Sequence, residues 1–331
     1  MSEANQVLIM QIRNSYTVYL LFTLFSIFFL FIPFSQSFAG SGSQPASAPS
    51  LILSPDKQFN YAQDLFSAKD YSTAVNEYKR FIYFFPKDER VELAMFQVGM
   101  SYFFSRHFNE AVNSFKKLTD QYFETEYSIK SYFKISEAYI TLKAFDLALI
   151  NLNNLITITK DENIRDEAYY RIGWIYIETA SWDNARHYFE KIKAKNRTKF
   201  RLEKLADELD KEALIPQKDP NLAGFLSIIP GGGYLYCERY QDALIAFLLN
   251  GGLILAAYES FDKGHGALGG LLTFVGFGFY AGNIYGAVTS AHKFNRKETG
   301  QFIYKLKKNT RVNLSADLEN KSVCLSFRFS F

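Results

Sequence analysis

The residues most suggestive of chemistry lie in one short stretch, Pro230 followed by the three glycines Gly231, Gly232 and Gly233. A glycine-rich loop can hold a phosphate when its pattern is GxxxxGK[ST], because backbone N–H groups, a lysine and a hydroxyl then surround the phosphate. Here the glycines are followed by YLYCERY, which supplies neither the lysine nor the serine or threonine. The GxGxxG spacing of dinucleotide-binding loops is absent as well. The stretch therefore predicts a turn with close backbone packing, not a nucleotide site.

The other side chains capable of catalysis or metal binding show no spacing typical of a site. The motifs HExxH and GxSxG are absent from the sequence. Cys237 and Cys324 are too few for a zinc site, although they could form one disulfide. The histidines, none at ligand spacing, are His107, His187, His265 and His292. We expect no enzymatic activity, no cofactor and no metal.

The composition favours repeats or membrane segments over an average soluble domain. Of the 331 residues, 48% are hydrophobic, and Phe (33) and Tyr (22) are unusually frequent. The length leaves room for two or three domains. The formal net charge of +3 is too small to indicate a nucleic-acid partner.

An internal repeat of 37 residues occupies residues 55–198. Four further columns of small, aromatic or apolar residues keep the register of a column of alanines, which are Ala74, Ala111, Ala148 and Ala185. Within each copy, two apolar stripes at helical spacing flank a short polar turn, which indicates a helix–turn–helix. One pair cannot bury its own apolar face, but stacked pairs share a core. The repeat therefore predicts an α-solenoid of four helix pairs.

These columns resemble the tetratricopeptide repeat, and Pro86 ends the first copy where that family has its proline. The copies are longer than the usual length of about 34 residues. In this they are similar to the repeats of a bacterial envelope family that includes the outer-membrane-assembly lipoprotein. The resemblance implies a non-enzymatic scaffold that binds a peptide or helix of a protein partner on the concave face formed by the first helices.

An aromatic groove is expected on that concave face, because aromatic residues recur there at the same interval. The groove residues are Phe59, Phe66, Phe96, Met100, Phe103, Phe133, Ile140, Tyr170, Trp174 and Ile177. The alternative is that these side chains pack between neighbouring repeats or against the C-terminal domain. On the groove hypothesis, Phe96→Ala with Phe133→Ala abolishes partner binding and leaves the helical fold intact. On the alternative, the same change destroys the fold.

A helical membrane hairpin is expected downstream of the repeats. Residues 243–258 and 267–291 carry no charge, and both approach or reach the length of a membrane span. Small residues at helical spacing favour close helix packing and could also join copies into a homo-oligomer. These residues are Gly252, Ala256, Gly278, Gly282 and Gly286. Asn250 and Asn283 lie at membrane depth and bond either each other or their own backbones.

The glycine stretch resembles part of a small bacterial membrane domain. PGGGYLYCERYQDA is similar to a PGxGQxYxG-type signature that precedes two spans. In that setting, residues 230–233 form a broken or re-entrant turn that leads into the hairpin.

Both ends of the chain carry possible export or membrane signals. Residues 1–39 contain an uncharged stretch with small residues behind it, which indicates a signal peptide or an N-terminal anchor. The alternating tail is similar to the last strand of outer-membrane barrels, or it forms a hairpin that covers an apolar surface. A cleaved signal places the repeats in the periplasm, and a hairpin of two spans returns the tail to that same side. The basic residues that follow the second span instead favour a cytoplasmic position for the tail. The sequence does not decide between the inner and the outer membrane.

The sequence thus predicts an all-α protein, a tetratricopeptide α-solenoid followed by a transmembrane helical hairpin and a short C-terminal β-hairpin. The expected segments are the leader 1–39, a flexible linker 40–54, repeats 55–198, a capping helix and linker 199–220, the membrane hairpin 221–298 and the tail 299–331. We expect a membrane-associated protein-binding scaffold of the bacterial cell envelope, active in envelope protein assembly or secretion. The alternative is an oligomeric transport or lipid-handling component with the repeats as its regulatory arm.

Overall fold

The computed structural model describes residues 53–310, 315–317 and 322–325. The leader over 1–39, almost all of the linker over 40–54 and most of the C-terminal tail lie outside the described residues. The first eight helices form four antiparallel pairs, as the repeat predicts. They are α1 (Pro55–Ser67), α2 (Tyr71–Phe84), α3 (Val91–Phe104), α4 (Phe108–Gln121), α5 (Glu126–Thr141), α6 (Phe145–Ile158), α7 (Glu162–Glu178) and α8 (Trp182–Glu190).

Local side chains fix where several of these helices begin. Ser54 accepts a hydrogen bond from the Lys57 N–H (3.2 Å) at the start of α1, where Pro55 has no N–H to satisfy. Thr125 caps α5 and Asp161 caps α7 in the same way. Such caps satisfy backbone donors that the helix leaves free, each typically contributing about 1 kcal/mol.

The turn inside each pair has a second 37-residue column that the sequence does not reveal. One residue in each turn has a positive φ: Lys69, Arg106, Lys143 and Ala180. The following residue donates its N–H to the carbonyl five residues back, as Asp70 does to Leu65 (2.9 Å). This hydrogen bond ends the first helix in the manner of a Schellman motif, for which glycine is the usual signal.

Small residues let the two helices of a pair approach closely, as the spacing predicts. Ala74, Ala111, Ala148 and Ala185 have no exposed surface. The ring of Phe115 lies directly over Gly99, where an added Cβ would stand 2.4 Å from the ring. Phe189 covers Gly173 at 2.3 Å in the fourth pair. Neither glycine can be enlarged unless the ring moves.

An ionic cluster ties the first pair to the second. The Arg90 guanidinium lies 5.1 Å from the Phe59 ring and pairs with Asp88 and Asp56, both at 2.8 Å. Its hydrogen bonds to the Asp88 carboxylate lower the pKa of that group to about 2. The Asp88 carboxylate therefore stays ionised across the physiological pH range.

The array is capped by short helices, not by one long helix. The expected capping helix over 199–216 is interrupted at Arg201, whose φ of +50° is left-handed. The segments observed there are α9 (Ala194–Arg197), α10 (Leu202–Leu209) and a 3₁₀ turn (Asp210–Leu214). Leu202, Leu205 and Leu209 are buried against the fourth pair. A polar outer end is what a repeat array requires.

The remaining helices are α11 (Pro220–Leu226), α12 (Gly232–Tyr236), α13 (Tyr240–Asp262) and α14 (Gly266–Thr310). With 45 residues, α14 is far longer than expected. Residues 299–310 continue this helix, so their assignment to a β-hairpin tail was wrong. Two short segments follow, β1 (Ser315–Asp317) and β2 (Ser322–Leu325), which pair antiparallel with Ser315 opposite Leu325.

The far end of α14 returns to the repeats. Leu306 is 1% exposed and belongs to the same core as Tyr170 and Ile177. Phe302 packs edge-on against Trp182, with ring centroids 5.6 Å apart. Lys307 pairs with Glu178. Together with α10, this end of α14 closes the apolar face that the fourth pair would otherwise leave open.

Leu306→Ala is therefore expected to destabilise the fourth pair by about 2–5 kcal/mol, because a buried leucine is replaced by a cavity. The two tryptophans of the chain, Trp174 and Trp182, both pack against this core, so intrinsic fluorescence during urea unfolding reports on it. Tyr304→Ala, at a side chain 65% exposed on the same helix, is the control and should shift the free energy of unfolding by under about 0.5 kcal/mol. Equal shifts would contradict the closing role of α14.

Candidate functional site

The ten residues expected in the aromatic groove fall into two groups. Half are buried: Phe59 (6% exposed), Phe96 (8%), Phe133 (4%), Tyr170 (4%) and Ile177 (0%). They occupy the cores between successive helices. Phe59 packs edge-on against Phe81 at 5.2 Å, and Tyr170 stacks on Phe200 at 4.6 Å. These five side chains pack inside the protein, and their direct contact with a partner stays a prediction.

The other half remain partly exposed on the inner helices. They are Phe66, Met100, Phe103, Ile140 and Trp174. Phe104 joins them with 48% of its surface exposed, and it stacks on Tyr71 at 5.5 Å. Sequence reasoning missed Phe104, although it follows Phe103 directly. The accessible part of the inner face is thus apolar and aromatic.

Basic side chains on this face are held by aromatic rings and by their own carboxylates. The Lys134 ammonium lies 4.8 Å from the Phe103 ring and pairs with Glu137 at 2.9 Å. The buried Arg171 lies 4.4 Å from the Phe133 ring and pairs with Glu167 at 2.8 Å. Each of these two cations thus already has an anionic neighbour. The partly exposed aromatic side chains of the face favour an apolar or aromatic segment.

The glycine turn, residues 227–233, is held to α14 by the side chains of Asn283 and Tyr280. Asn283 donates from Nδ2 to the Ser227 carbonyl (3.1 Å), and its Oδ1 accepts from the Gly231 N–H (3.3 Å). Tyr280 donates from its hydroxyl to the Ile228 carbonyl at 2.8 Å. These bonds satisfy backbone groups that the break between α11 and α12 leaves free. Asn283 therefore bonds neither Asn250 nor its own backbone.

At each glycine of this turn, a side chain would collide with a neighbouring atom. Gly231 has a φ of +86°, and a Cβ there would stand 2.3 Å from the Ala243 carbonyl oxygen. At Gly232 a Cβ would meet the Leu226 carbonyl oxygen at 2.4 Å. At Gly233 it would meet Ser227 Oγ at 2.1 Å. The run of three glycines is thus explained by close backbone packing, as the sequence predicts, and Pro230 precedes the left-handed residue.

Of the small residues expected to pack α13 against α14, only some lie close to another element. A Cβ at Gly286 would overlap the hydroxyl of Tyr234, which belongs to α12. This glycine therefore lets α12 pack against α14. At Gly252, Gly278 and Gly282 a Cβ would meet nothing within 4 Å. Ala256 is half-buried, and its carbonyl accepts from the Ser260 hydroxyl. Asn250 donates to the Ala246 carbonyl of its own helix.

The helices α13 and α14 each have the length and the apolar composition needed to cross a membrane. The most hydropathic windows of α13 and α14 are only 22% and 11% buried, unlike the core helices of soluble proteins. Large apolar side chains stand exposed along them: Leu244, Ile245, Phe247, Leu248, Leu255, Phe274, Phe277 and Phe279. Exposed apolar surface on this scale usually marks a membrane or protein contact.

Ionic and polar contacts mark the base of the hairpin, where α13 begins and the uncharged part of α14 ends. Arg239 donates to Ser290 Oγ (2.9 Å) and pairs with Asp242. Lys218 pairs with Glu238 at 3.0 Å, which raises the pKa of the lysine. Cys237 is a buried free thiol. Over residues 53–310, no three His, Cys, Asp or Glu side chains are grouped so as to hold a metal ion.

Comparison with known families supports the reading of the repeats. Residues 167–197, which cover most of the fourth pair, match the tetratricopeptide repeat family. Residues 53–310 are thus all-helical, and their repeats form a tetratricopeptide-type solenoid. No curated protein matches it.

Several solved structures align over most of the chain. A tetratricopeptide repeat protein from Parabacteroides merdae is 15% identical, with a TM-score of 0.41, over 77% of this chain and 93% of that one. A TPR repeats protein from Bacteroides fragilis is 14% identical, with a TM-score of 0.32, over 77% and 98%. A Rap protein complexed with Competence and Sporulation Factor is 13% identical, with a TM-score of 0.35, over 77% and 76%.

Proposed function

We propose that this protein is a membrane-anchored, non-enzymatic scaffold of the bacterial cell envelope, which binds a protein partner through its repeats in envelope protein assembly or secretion. The observation that carries the proposal is that one compact unit joins a repeat array to two helices with exposed apolar side chains. Helical repeats present extended surfaces for partners, and the exposed helices provide the anchor.

The partner surface is the exposed part of the inner face, with Phe66, Met100, Phe103, Phe104 and Trp174 at its centre. Aromatic and methionine side chains are enriched at the centres of protein interfaces, where their burial excludes water. An extended peptide or amphipathic helix with its own apolar side chains fits this face. The flanking charges of Lys134 and Glu137 would favour partners without a strong net charge.

The location follows from the N-terminal leader and the hairpin. A leader of this type exports the domain that follows it, and long domains are translocated largely regardless of their charge. We therefore place the repeats in the periplasm. The end of α14 contacts the capped end of the array, and Arg239 at the start of α13 donates to Ser290 of α14, so on this proposal both helix ends lie on the side of the repeats.

An oligomeric transport or lipid-handling role is the second candidate. It is favoured by the open faces at Gly252, Gly278 and Gly282, where another helix could approach closely. In that case the repeats would regulate a membrane assembly made of several copies.

Photo-cross-linking in intact cells tests the scaffold. A photoreactive phenylalanine analogue at Phe104 is expected to give discrete cross-linked protein bands, because this side chain lies on the proposed partner surface. The matched control is the same analogue at Lys117, on the second helix of the same pair, which should give none. In the same cells, alkaline carbonate should leave the protein in the membrane fraction, and sucrose gradients assign it to the inner or outer membrane. Release by carbonate, or identical bands from both positions, contradicts the proposal.

A further inference from the structure

A basic patch follows the uncharged part of α14. Lys293, Arg296 and Lys297 are exposed and share one face of the helix, at positions i, i+3 and i+4. The opposite face is attached to the protein through Asn295, which accepts from the Lys218 N–H (2.7 Å) and donates to the Lys218 carbonyl (2.8 Å). The patch is thus held outward by the fold.

The nearby carboxylates are already engaged. Glu238 pairs with Lys218 at 3.0 Å, and Asp242 pairs with Arg239 at 2.6 Å. Asp219 caps α11 by accepting from the Asn221 N–H. Glu298, the acidic residue next to the patch, is half-buried on the packed side of α14. Within the described part of the chain, no carboxylate oxygen lies within 4.0 Å of the nitrogens of the three cations.

On the proposed membrane hairpin, the patch falls at the level of the lipid headgroups. The hydrogen bond between Arg239 and Ser290 (2.9 Å) joins the charged base of α13 to α14 near the end of the uncharged part of α14, which ends at Ala291. At 1.5 Å per residue, Lys293 and Lys297 lie about 5 and 10 Å beyond Ser290. The headgroup layer on each side of a bilayer is roughly 5–8 Å thick. Helical side chains tilt toward the helix N-terminus, which in α14 is the membrane side.

We propose that Lys293, Arg296 and Lys297 form a binding surface for the phosphate groups of anionic phospholipids. This inference rests on the proposed membrane hairpin and adds a ligand class to it. Among the described residues, no carboxylate pairs with these three cations, and their Cα–Cβ bonds tilt toward the membrane side of α14. Basic residues grouped beside a membrane span attract anionic lipids. The lipid would hold the long helix in place at the point where it leaves the membrane for the repeats.

Native mass spectrometry of the full chain in detergent tests the proposal. The protein is titrated with dioleoyl phosphatidylglycerol and, separately, with dioleoyl phosphatidylcholine. The variant K293Q/K297Q is expected to bind phosphatidylglycerol about 25-fold more weakly, at about fivefold for each cation near the surface. The control K305Q/K308Q removes the same charge from exposed lysines farther along the helix and should change the affinity by less than about twofold.

Three results would overturn the inference: equal binding of the two lipids, equal losses in the two variants, or full displacement of the lipid by glycerol phosphate. The last result would indicate a site for free phosphate instead of a lipid. Carbonate extraction of the same proteins is the separate readout for the hairpin. If all variants stay in the membrane but show no lipid preference, the inference fails while the proposed function stands.

Discussion

The double variant Phe96→Ala with Phe133→Ala is expected to lose the cooperative unfolding transition of the repeats. Each ring is more than nine-tenths buried, and replacing a buried phenylalanine with alanine costs about 3–5 kcal/mol. The two rings belong to different core clusters, so their costs should add to about 6–10 kcal/mol. That is as large as the whole stability of many domains, at about 5–15 kcal/mol. Circular dichroism during urea titration measures the loss.

The matched control is Phe104→Ala with Phe123→Ala, where the two rings are 48% and 72% exposed. It removes the same atoms and should leave the unfolding midpoint nearly unchanged. The opposite result is also informative. If Phe96→Ala with Phe133→Ala keeps a cooperative helical fold but loses the cross-links made from Phe104, the two buried rings act in binding, as the groove hypothesis holds.

Asn283→Leu is expected to detach the glycine turn from α14 and destabilise the hairpin by about 2–5 kcal/mol. The Ser227 carbonyl and the Gly231 N–H would lose their partner where no water is available, at about 1–3 kcal/mol for each group. Thermal unfolding in detergent and protease sensitivity within residues 227–233 are the measurements. Both should report an opened turn.

Asn250→Leu is the control for this variant. The two asparagines are almost equally buried, at 3% and 4% exposed, and both lie on the long helices. Asn250 bonds only the Ala246 carbonyl of its own helix, so its loss frees no backbone group of another element. We expect little change in stability. A similar loss in both variants would mean that the hydrogen bonds of Asn283 to the turn are not what holds it.

The structure adds one column of left-handed residues to the 37-residue repeat. The sequence offers no glycine in the turns at Lys69, Arg106, Lys143 and Ala180, yet each has a left-handed backbone. Lysine, arginine and alanine give no signal for this conformation, which is imposed by the packing of the two helices on either side. Propensity reasoning fails here because tertiary contacts outweigh a local cost of roughly 1–2 kcal/mol.

The sequence by itself determined the helix pairs, because helical periodicity and the fit of a small residue beneath a ring act within one 37-residue copy. It also predicted that the glycine turn packs closely. Only the tertiary structure decided which aromatic side chains stay exposed, since a helix shows its apolar stripe in sequence but not the neighbours that cover it. The return of Lys307 to Glu178 and the bond between Asn283 and Ser227 join residues 129 and 56 positions apart. Contacts at such separations have no local pattern, because they depend on where the whole chain places its elements.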